Sequence, residues 1–470
     1  MNENLKKGIG FLFFVVLGLG VVFAALSDSQ PSRRRAALYD KLDGGVALLL
    51  AESDFSTTWQ AHRYDPSYKP QEFKQEVHFH YLTGLGVKSA VLLVDGKKRK
   101  TTLYLRDEVK EKDFVSESSG LDRVAPMTSL LGDLDALTER RPAIYLLLGR
   151  KPGEIPFGSE KIFPEGLKEP TDRQQDLKTS LSRRFGWMEF RNLDPLISEL
   201  RAVKDAEEIE LIRRAVEISS LGLIETLRSV RPGIRERELS GVSRFVYRKE
   251  GAQRIAYSED LQSGPNFVKS FIEIFNQYNK LDRIMEEGEV MLVDLSCEYN
   301  YYRTDIARTA PVSGKFTAQQ RALYDLYLVA YRAALAAIRP GVTQRDITMA
   351  SVDAMKAQVP NLKEDYLRRG ADDYIARHGS GNPLGHYVDY YVSGAGDRSK
   401  PLVPGQIFTI EPKMILPDLN NFRVTLEDMI LVTPFGYELL SKILPMEAED
   451  IERIIAEPGL LDLPAKVRKR

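Results

Sequence analysis

Two stretches of this chain echo each other, and the echo limits what its second half can fold into. RPGIRERELSGV begins at Arg231 and RPGVTQRDITMA at Arg339. Each follows an apolar helical pattern of about 20 residues, EEIELIRRAVEISSLGLIETLRSV in one case and AQQRALYDLYLVAYRAALAAI in the other. Each then leads into strand-like segments: VMLVDLS and YYRTDIART in the first half, IFTIEPKMIL and RVTLEDMILVT in the second. A Pro-Gly after a helix is common by itself, because glycine stops helices. The shared order of elements points further, to a duplicated helix-plus-sheet unit whose halves pack around one cleft, with helices covering a curved sheet.

The residues ahead of this unit read differently. GGVALLLAES (44–53), SAVLLVDG (89–96), TTLYLRD (101–107) and PAIYLLLGR (142–150) are short apolar runs bounded by Gly or charge, as buried strands are. QEVHFHYLTG (75–84) also reads as a strand, with His78 and His80 on one face. At that spacing the two could bind a metal, but no third ligand is evident nearby, and packing is the simpler role. A long helical pattern starts at Asp205, with Ile209, Ile212, Val216, Leu223 and Leu227 on one face. The class is therefore α/β (α+β): an α/β domain over residues 37–195, followed by the duplicated domain over 196–460.

The N-terminus stands apart from both. Lys6 and Lys7 precede an uncharged run from Ile9 to Leu26, and small and polar residues follow near Ser27. Residues 1–27 thus have the layout of a secretory signal peptide. The run of about 18 residues also approaches the length that spans a bilayer, so cleaved signal and retained membrane anchor both stay open. Arg33, Arg34 and Arg35 make the far flank basic too, which weakens any charge-based orientation. Either way the expectation is export, to the periplasm or to the outer side of a membrane.

Charge and cysteine content exclude other classes. With 66 basic against 67 acidic residues there is no global field that favours nucleic acid. The single cysteine, Cys297, permits neither an internal disulfide nor a thiolate cluster and reads as a buried small hydrophobe.

Four carboxylates sit in similar settings within the duplicated domain. Asp294 ends VMLVD, Asp305 ends YYRTD, Glu411 ends IFTIE and Glu427 ends RVTLE. One acid at the end of a strand commonly faces water or pairs with an arginine such as Arg303 or Arg423. Four converging acids would repel strongly and be costly to bury, and divalent cations resolve that conflict. A site so rich in oxygen, with one imidazole, suits Mn, with Co or Zn as alternatives.

These segments resemble the creatinase/aminopeptidase P family. VDLSCEYNYYRTDIARTAPVSGKFTAQQRALY is similar to its segment with two aspartate ligands, and PLVPGQIFTIEP and LEDMILVTPFGYELLS to its two glutamate segments. SGPN (263–266) matches the loop before the first ligand strand, and QEVHFHYLTG resembles a signature of the family's N-terminal domain. The resemblance covers roughly residues 37 to 445. It implies a pita-bread catalytic domain behind a smaller α/β domain, two divalent metal ions, and removal of the N-terminal residue from short peptides with proline second. It further implies that Asp294, Asp305, Glu411 and Glu427 bind the metals, and that Glu411 also handles the proton of the attacking water. Dimers are common for this fold.

The family's imidazoles are where this chain departs. One alignment of HGSGNPLGHYVDYYVSG (378–394) makes His386 the ligand, and then Asp389 replaces a glycine and Ser393 a catalytic histidine. The other places Asn382 at the ligand position and Asp389 at the catalytic histidine. His378 is then either a donor behind the ligands or a loop residue. A further family histidine would fall at Phe271, and a frequent arginine at Thr425. Between His80 and His378 there is no histidine at all. Three readings follow: a weakened or retuned exported Xaa-Pro aminopeptidase or dipeptidase, a pita-bread pseudoenzyme that binds peptides or a partner, and a metal-free amidine hydrolase. The last still requires histidine where the chain lacks it.

Overall fold

The computed structural model describes residues 29–52, 73–106, 120–148, 173–269 and 282–462. The N-terminal apolar run, His62 and Phe271 lie outside these residues. Among the described residues no helix is long and apolar enough to cross a membrane. The chain divides into two compact units between Leu200 and Arg201.

The first unit is built on a mixed six-stranded sheet: β1 (Val46–Leu50), β2 (Val91–Asp95), β3 (Lys100–Leu105), β4 (Arg123–Pro126), β5 (Ile144–Leu146) and β6 (Phe190–Asn192). Their order is β4-β3-β2-β1-β5-β6. The four apolar runs of the sequence become β1, β2, β3 and β5, which is expected of strands covered on both faces. β4 and β6 are short edge strands of mixed polarity, and carry no such signal. Val46, Leu48, Val91, Leu93 and Ile144 lie at the centre of the core.

QEVHFHYLTG is not a strand. After α1 (Gln30–Lys41) it forms the short helix α2 (Val77–Thr83). The Glu76 carboxylate accepts the Phe79 N–H at 2.7 Å, and Gly84, at φ +68°, ends the helix. Residues two apart on a helix do not face one another, so His78 and His80 form no pair. His78 is buried, with Nδ1 2.8 Å from Glu76 and Nε2 3.5 Å from Asp194. Arg34 and Arg35 are buried donors to the last carbonyls of α2, Tyr81 O at 3.1 Å and Leu82 O at 2.8 Å. Cations at a helix C-terminus satisfy its free carbonyls and its dipole.

The second unit repeats itself as the sequence echo anticipates. In the first half α3 (Ala206–Arg228) and α4 (Glu236–Glu250) precede the sheet β8-β9-β12, made of Asp260–Ser263, Val290–Asp294 and Ala307–Pro311. A second small sheet is made of β7 (Arg254–Ile255), which precedes β8, and β10 (Cys297–Tyr299) and β11 (Tyr302–Arg303), which lie between β9 and β12; its order is β11-β10-β7. In the second half α5 (Ala318–Ala337) and α6 (Gln344–Gln358), followed by α7 (Asp365–His378), precede β13 (Ile407–Ile410), β14 (Lys413–Leu416), β15 (Phe422–Thr425), β16 (Asp428–Thr433) and β17 (Gly436–Leu439). The glycines of the two RPG motifs occupy the same left-handed conformation, Gly233 at φ +89° and Gly341 at +87°, which lets each chain turn into the next helix. Capping boxes at Asp205/Glu208, Thr317/Gln320 and Thr343/Asp346 start α3, α5 and α6. Ile212, Val216, Leu223 and Leu227 are the buried face of α3.

One backbone joint fuses the two half-sheets. Ala307 N–H donates to Glu427 O at 3.2 Å, and Glu427 N–H returns to Ala307 O at 2.9 Å. Asp305 lies two residues before that joint and Glu427 within it. The duplication therefore brings acids from both halves to one place, in the pita-bread arrangement. Cys297 is buried in the first half, where it accepts the Ser219 hydroxyl at 3.2 Å and burial pushes its thiol up to about 12.

Candidate metal centre

The first half supplies aspartates. Asp294 ends β9, and its register partners are Asp260 on β8 and Ala307 on β12. Directly opposed residues share a sheet face, so the Asp260 and Asp294 carboxylates stand side by side. The Tyr257 hydroxyl is hydrogen-bonded to Asp294 Oδ1 and lies 2.6 Å from Asp305 Oδ1. With a single proton it can donate to one of them at a time, and it ties the two acids together.

The second half supplies glutamates and an imidazole. Residues 384–388 run along β13, with Glu411 N–H donating to Leu384 O at 2.8 Å, Thr409 N–H to His386 O at 2.8 Å and Val388 N–H to Ile407 O at 3.2 Å. This pairing aims His386 at the joint. Its Nε2 is 3.2 Å from Asp305 Oδ2, 3.7 Å from Glu411 Oε1 and 4.0 Å from Glu427 Oε1. Its Nδ1 is 3.2 Å from Tyr387 O. Donation from Nδ1 to that carbonyl leaves Nε2 as the ligand nitrogen, the tautomer that metal-binding histidines usually adopt. One ligand atom each from Asp305, His386 and Glu427 fall within 4.8 Å of one another.

The charge balance of the cluster calls for a cation. Burial, then the Asp305 and Asp260 charges, push Asp294 well above the carboxylate range. Burial, then Asp305 and Glu411, do the same to Glu427. Asp260 is also raised by burial, against the opposing pull of Arg423. Burial works to lower His386, but Asp305 and Glu411 outweigh it and raise the imidazole. The cluster thus holds protons where a divalent ion would serve the same charge. Glu427 Oε1 is buried with no hydrogen-bond partner. Oxygen-rich donors, an unsatisfied carboxylate oxygen and an oriented imidazole fit a divalent metal.

All five residues singled out from the sequence, Asp294, Asp305, His386, Glu411 and Glu427, meet here. Asn382 is exposed, and its carbonyl accepts the Thr348 hydroxyl at 2.9 Å. Ser393 is exposed as well. Asp389 is buried against Arg201, 2.6 Å away, where Arg201 and Lys204 overcome the effect of burial and hold its carboxyl below the usual range. The sequence reading missed Tyr257, Asp260 and Lys413. Asp260 opens β8, three residues before Ser263 of SGPN, and only its register with Asp294 marks it. Lys413 Nζ is 3.2 Å from Glu411 Oε2, and that glutamate, outweighing burial, raises the ammonium. Arg423 stacks over Phe267 at 4.9 Å and donates to its carbonyl at 2.9 Å.

A duplicated half-sheet with acids and one imidazole at its seam defines a pita-bread metallohydrolase. Comparison with known proteins agrees. Residues 210–434 match metallopeptidase family M24, and residues 32–145 match the aminopeptidase P N-terminal domain. The chain is 27% identical to the Xaa-Pro aminopeptidase of Escherichia coli over 92% of its own length and 98% of that protein. It is 30% identical to the Xaa-Pro aminopeptidase 3 of Rattus norvegicus, over 82% of this chain and 77% of the other. The solved structure of proline aminopeptidase P II from Yersinia pestis superimposes with a TM-score of 0.71 at 27% identity, covering 91% of this chain and 99% of that one. The chain belongs to the creatinase/aminopeptidase P family of metallopeptidases.

Proposed function

We propose that this chain is an exported dinuclear-metal peptidase that removes the N-terminal residue from short peptides with proline second. The observation that carries this reading is the placement of His386 Nε2 among Asp305, Glu411 and Glu427, which completes a five-residue donor set with Asp294. Mn is the metal that best suits so many carboxylate oxygens, with Co or Zn as alternatives. Such ions, when bound, make a water nucleophilic at neutral pH and polarise the scissile carbonyl. Glu411 is the proton carrier: it is the most exposed of the three acids that face His386, and so the best placed to take a proton from water and pass it to the leaving amine. Export rests on the Lys6-Lys7 and Ile9–Leu26 pattern.

Elemental analysis of the purified chain and of Asp294→Asn, together with cleavage of Xaa-Pro peptides, tests this reading. About two ions per chain, lost in the variant, and hydrolysis abolished by Glu411→Ala are the expected results. A chain that takes up no metal after loading, or hydrolyses none of these peptides, overturns it. The second reading, a pseudoenzyme that binds peptides, is favoured by one observation: with His386 as the ligand, the position of a catalytic histidine falls to Ser393, which is exposed and carries no imidazole. Metal uptake with peptide binding but no turnover would establish it.

A further inference from the structure

The only imidazole among the acids of this centre, within the described residues, is His386, so Glu411 is steadied by something other than a second histidine. Its two oxygens face different groups. Oε1 is 3.7 Å from His386 Nε2, and Oε2 is 3.2 Å from Lys413 Nζ. Side-chain exposure rises along this line, from 3% at Glu427 through 15% at His386 and 22% at Glu411 to 40% at Lys413. Lys413 is therefore the most exposed member of this group, in contact with the more exposed of the two glutamates.

Lys413 is itself fixed. It opens β14 directly across from Thr425 on β15. His378, at the end of α7, has Nε2 3.1 Å from the Lys413 backbone N and 3.0 Å from its carbonyl O. One tautomer accepts that N–H and the other donates to that carbonyl, so either holds the backbone in place. The neighbouring cation, Arg423, is directed at Phe267.

We propose that Lys413 is the positioning residue for Glu411: its ammonium clamps Oε2, so that Oε1 alone is presented to the metal centre. A clamped carboxylate has one orientation, whereas a released one can turn and offer both oxygens to a single ion. This inference rests on the peptidase reading above.

The test compares the full chain with Lys413→Met and Lys413→Arg after loading with Mn or Co. For Lys413→Met we expect unchanged metal content, kcat lower by about 100-fold and KM within about twofold. The visible spectrum of the Co-loaded variant should also change, because Glu411 is free to alter its coordination. Lys413→Arg should recover most of kcat and the original spectrum. An active wild type with Lys413→Met equally active, or with an unchanged Co spectrum, overturns this inference alone. Loss of metal in Lys413→Met, or failure of Lys413→Arg to rescue, also overturns it, since charge balance or packing would then be the role. A metal-loaded wild type with no turnover overturns the peptidase reading and this inference with it.

Discussion

His386 Nε2 and Asp305 Oδ2 stand 3.2 Å apart, one from each half of a duplicated domain. The first prediction follows from that pair. Removing a group that merely supports a ligand typically weakens metal affinity about 10- to 100-fold, and removing a ligand should do at least as much. His386→Ala should therefore lose metal affinity by about 100-fold or more, while Asn382→Ala, altering an exposed side chain, should bind as the wild type does. Competition titration with a chelating dye measures both, and the reverse ranking would make Asn382 the ligand.

The Tyr257 hydroxyl joins Asp294 to Asp305, and its replacement gives a second prediction. Burial, then the two aspartate charges, raise the phenol well above its ordinary range, so it remains a neutral donor. Tyr257→Phe removes the one donor that Asp294 and Asp305 share. Metal affinity should fall about 10-fold, as for other groups that orient ligands, while the helical circular dichroism stays unchanged. Equal affinity in the variant would mean that metal alone orders the aspartates.

Much of this centre was legible in the sequence, for a physical reason. Acids after strand-like runs are conspicuous, and it is the resemblance of their segments to the ligand segments of a known family that marks four of them, in two echoed halves, as one convergent site. The echo itself is visible because both RPG motifs serve the same left-handed turn at Gly233 and Gly341. What could not be read is whatever depends on register. Asp260 gains meaning only when β8 pairs it with Asp294, and Lys413 only when its ammonium meets the far side of Glu411. The misread helix at Val77–Thr83 shows a different failure. Its alternating apolar and polar residues mimic a strand, and the cap at Glu76 with the stop at Gly84 decides the matter.

The Asp389–Arg201 pair supplies a pH prediction. Its 2.6 Å contact joins side chains only 3% and 4% exposed. Burial tends to raise the Asp389 carboxyl, but Arg201 and Lys204 hold it below the usual range. A carboxyl depressed in the folded state adds stability above its unfolded value, about 3.9, and that stability is lost as pH falls through the folded value. Arg201→Met should cost up to about 3–5 kcal/mol at neutral pH, because it removes the cation in contact with a buried carboxylate and leaves Lys204 as the remaining positive charge. The gap between wild type and Asp389→Asn, followed by denaturant midpoints, should narrow as the pH drops below about 4. A gap that is constant from neutral to strongly acidic pH would mean that the pair contributes through shape rather than charge.

Gly385 provides a test of how the imidazole is aimed, independent of the ligand side chains. A Cβ built there would lie 2.1 Å from Thr409 O and 2.5 Å from its hydroxyl, both on β13. Neither can retreat easily: Thr409 N–H is bonded to His386 O at 2.8 Å, and the Thr409 hydroxyl accepts the His386 N–H at 3.2 Å. Gly385→Ala must therefore push residues 384–388 away from the strand, and His386 moves with them. Overpacking of this kind costs about 1–3 kcal/mol, which a core of this size can absorb. The variant should then remain folded yet bind metal almost as poorly as His386→Ala, although it retains every proposed ligand. Titration of both variants with the same metal checks this, and full affinity in Gly385→Ala would show that the segment can leave β13 without moving the imidazole.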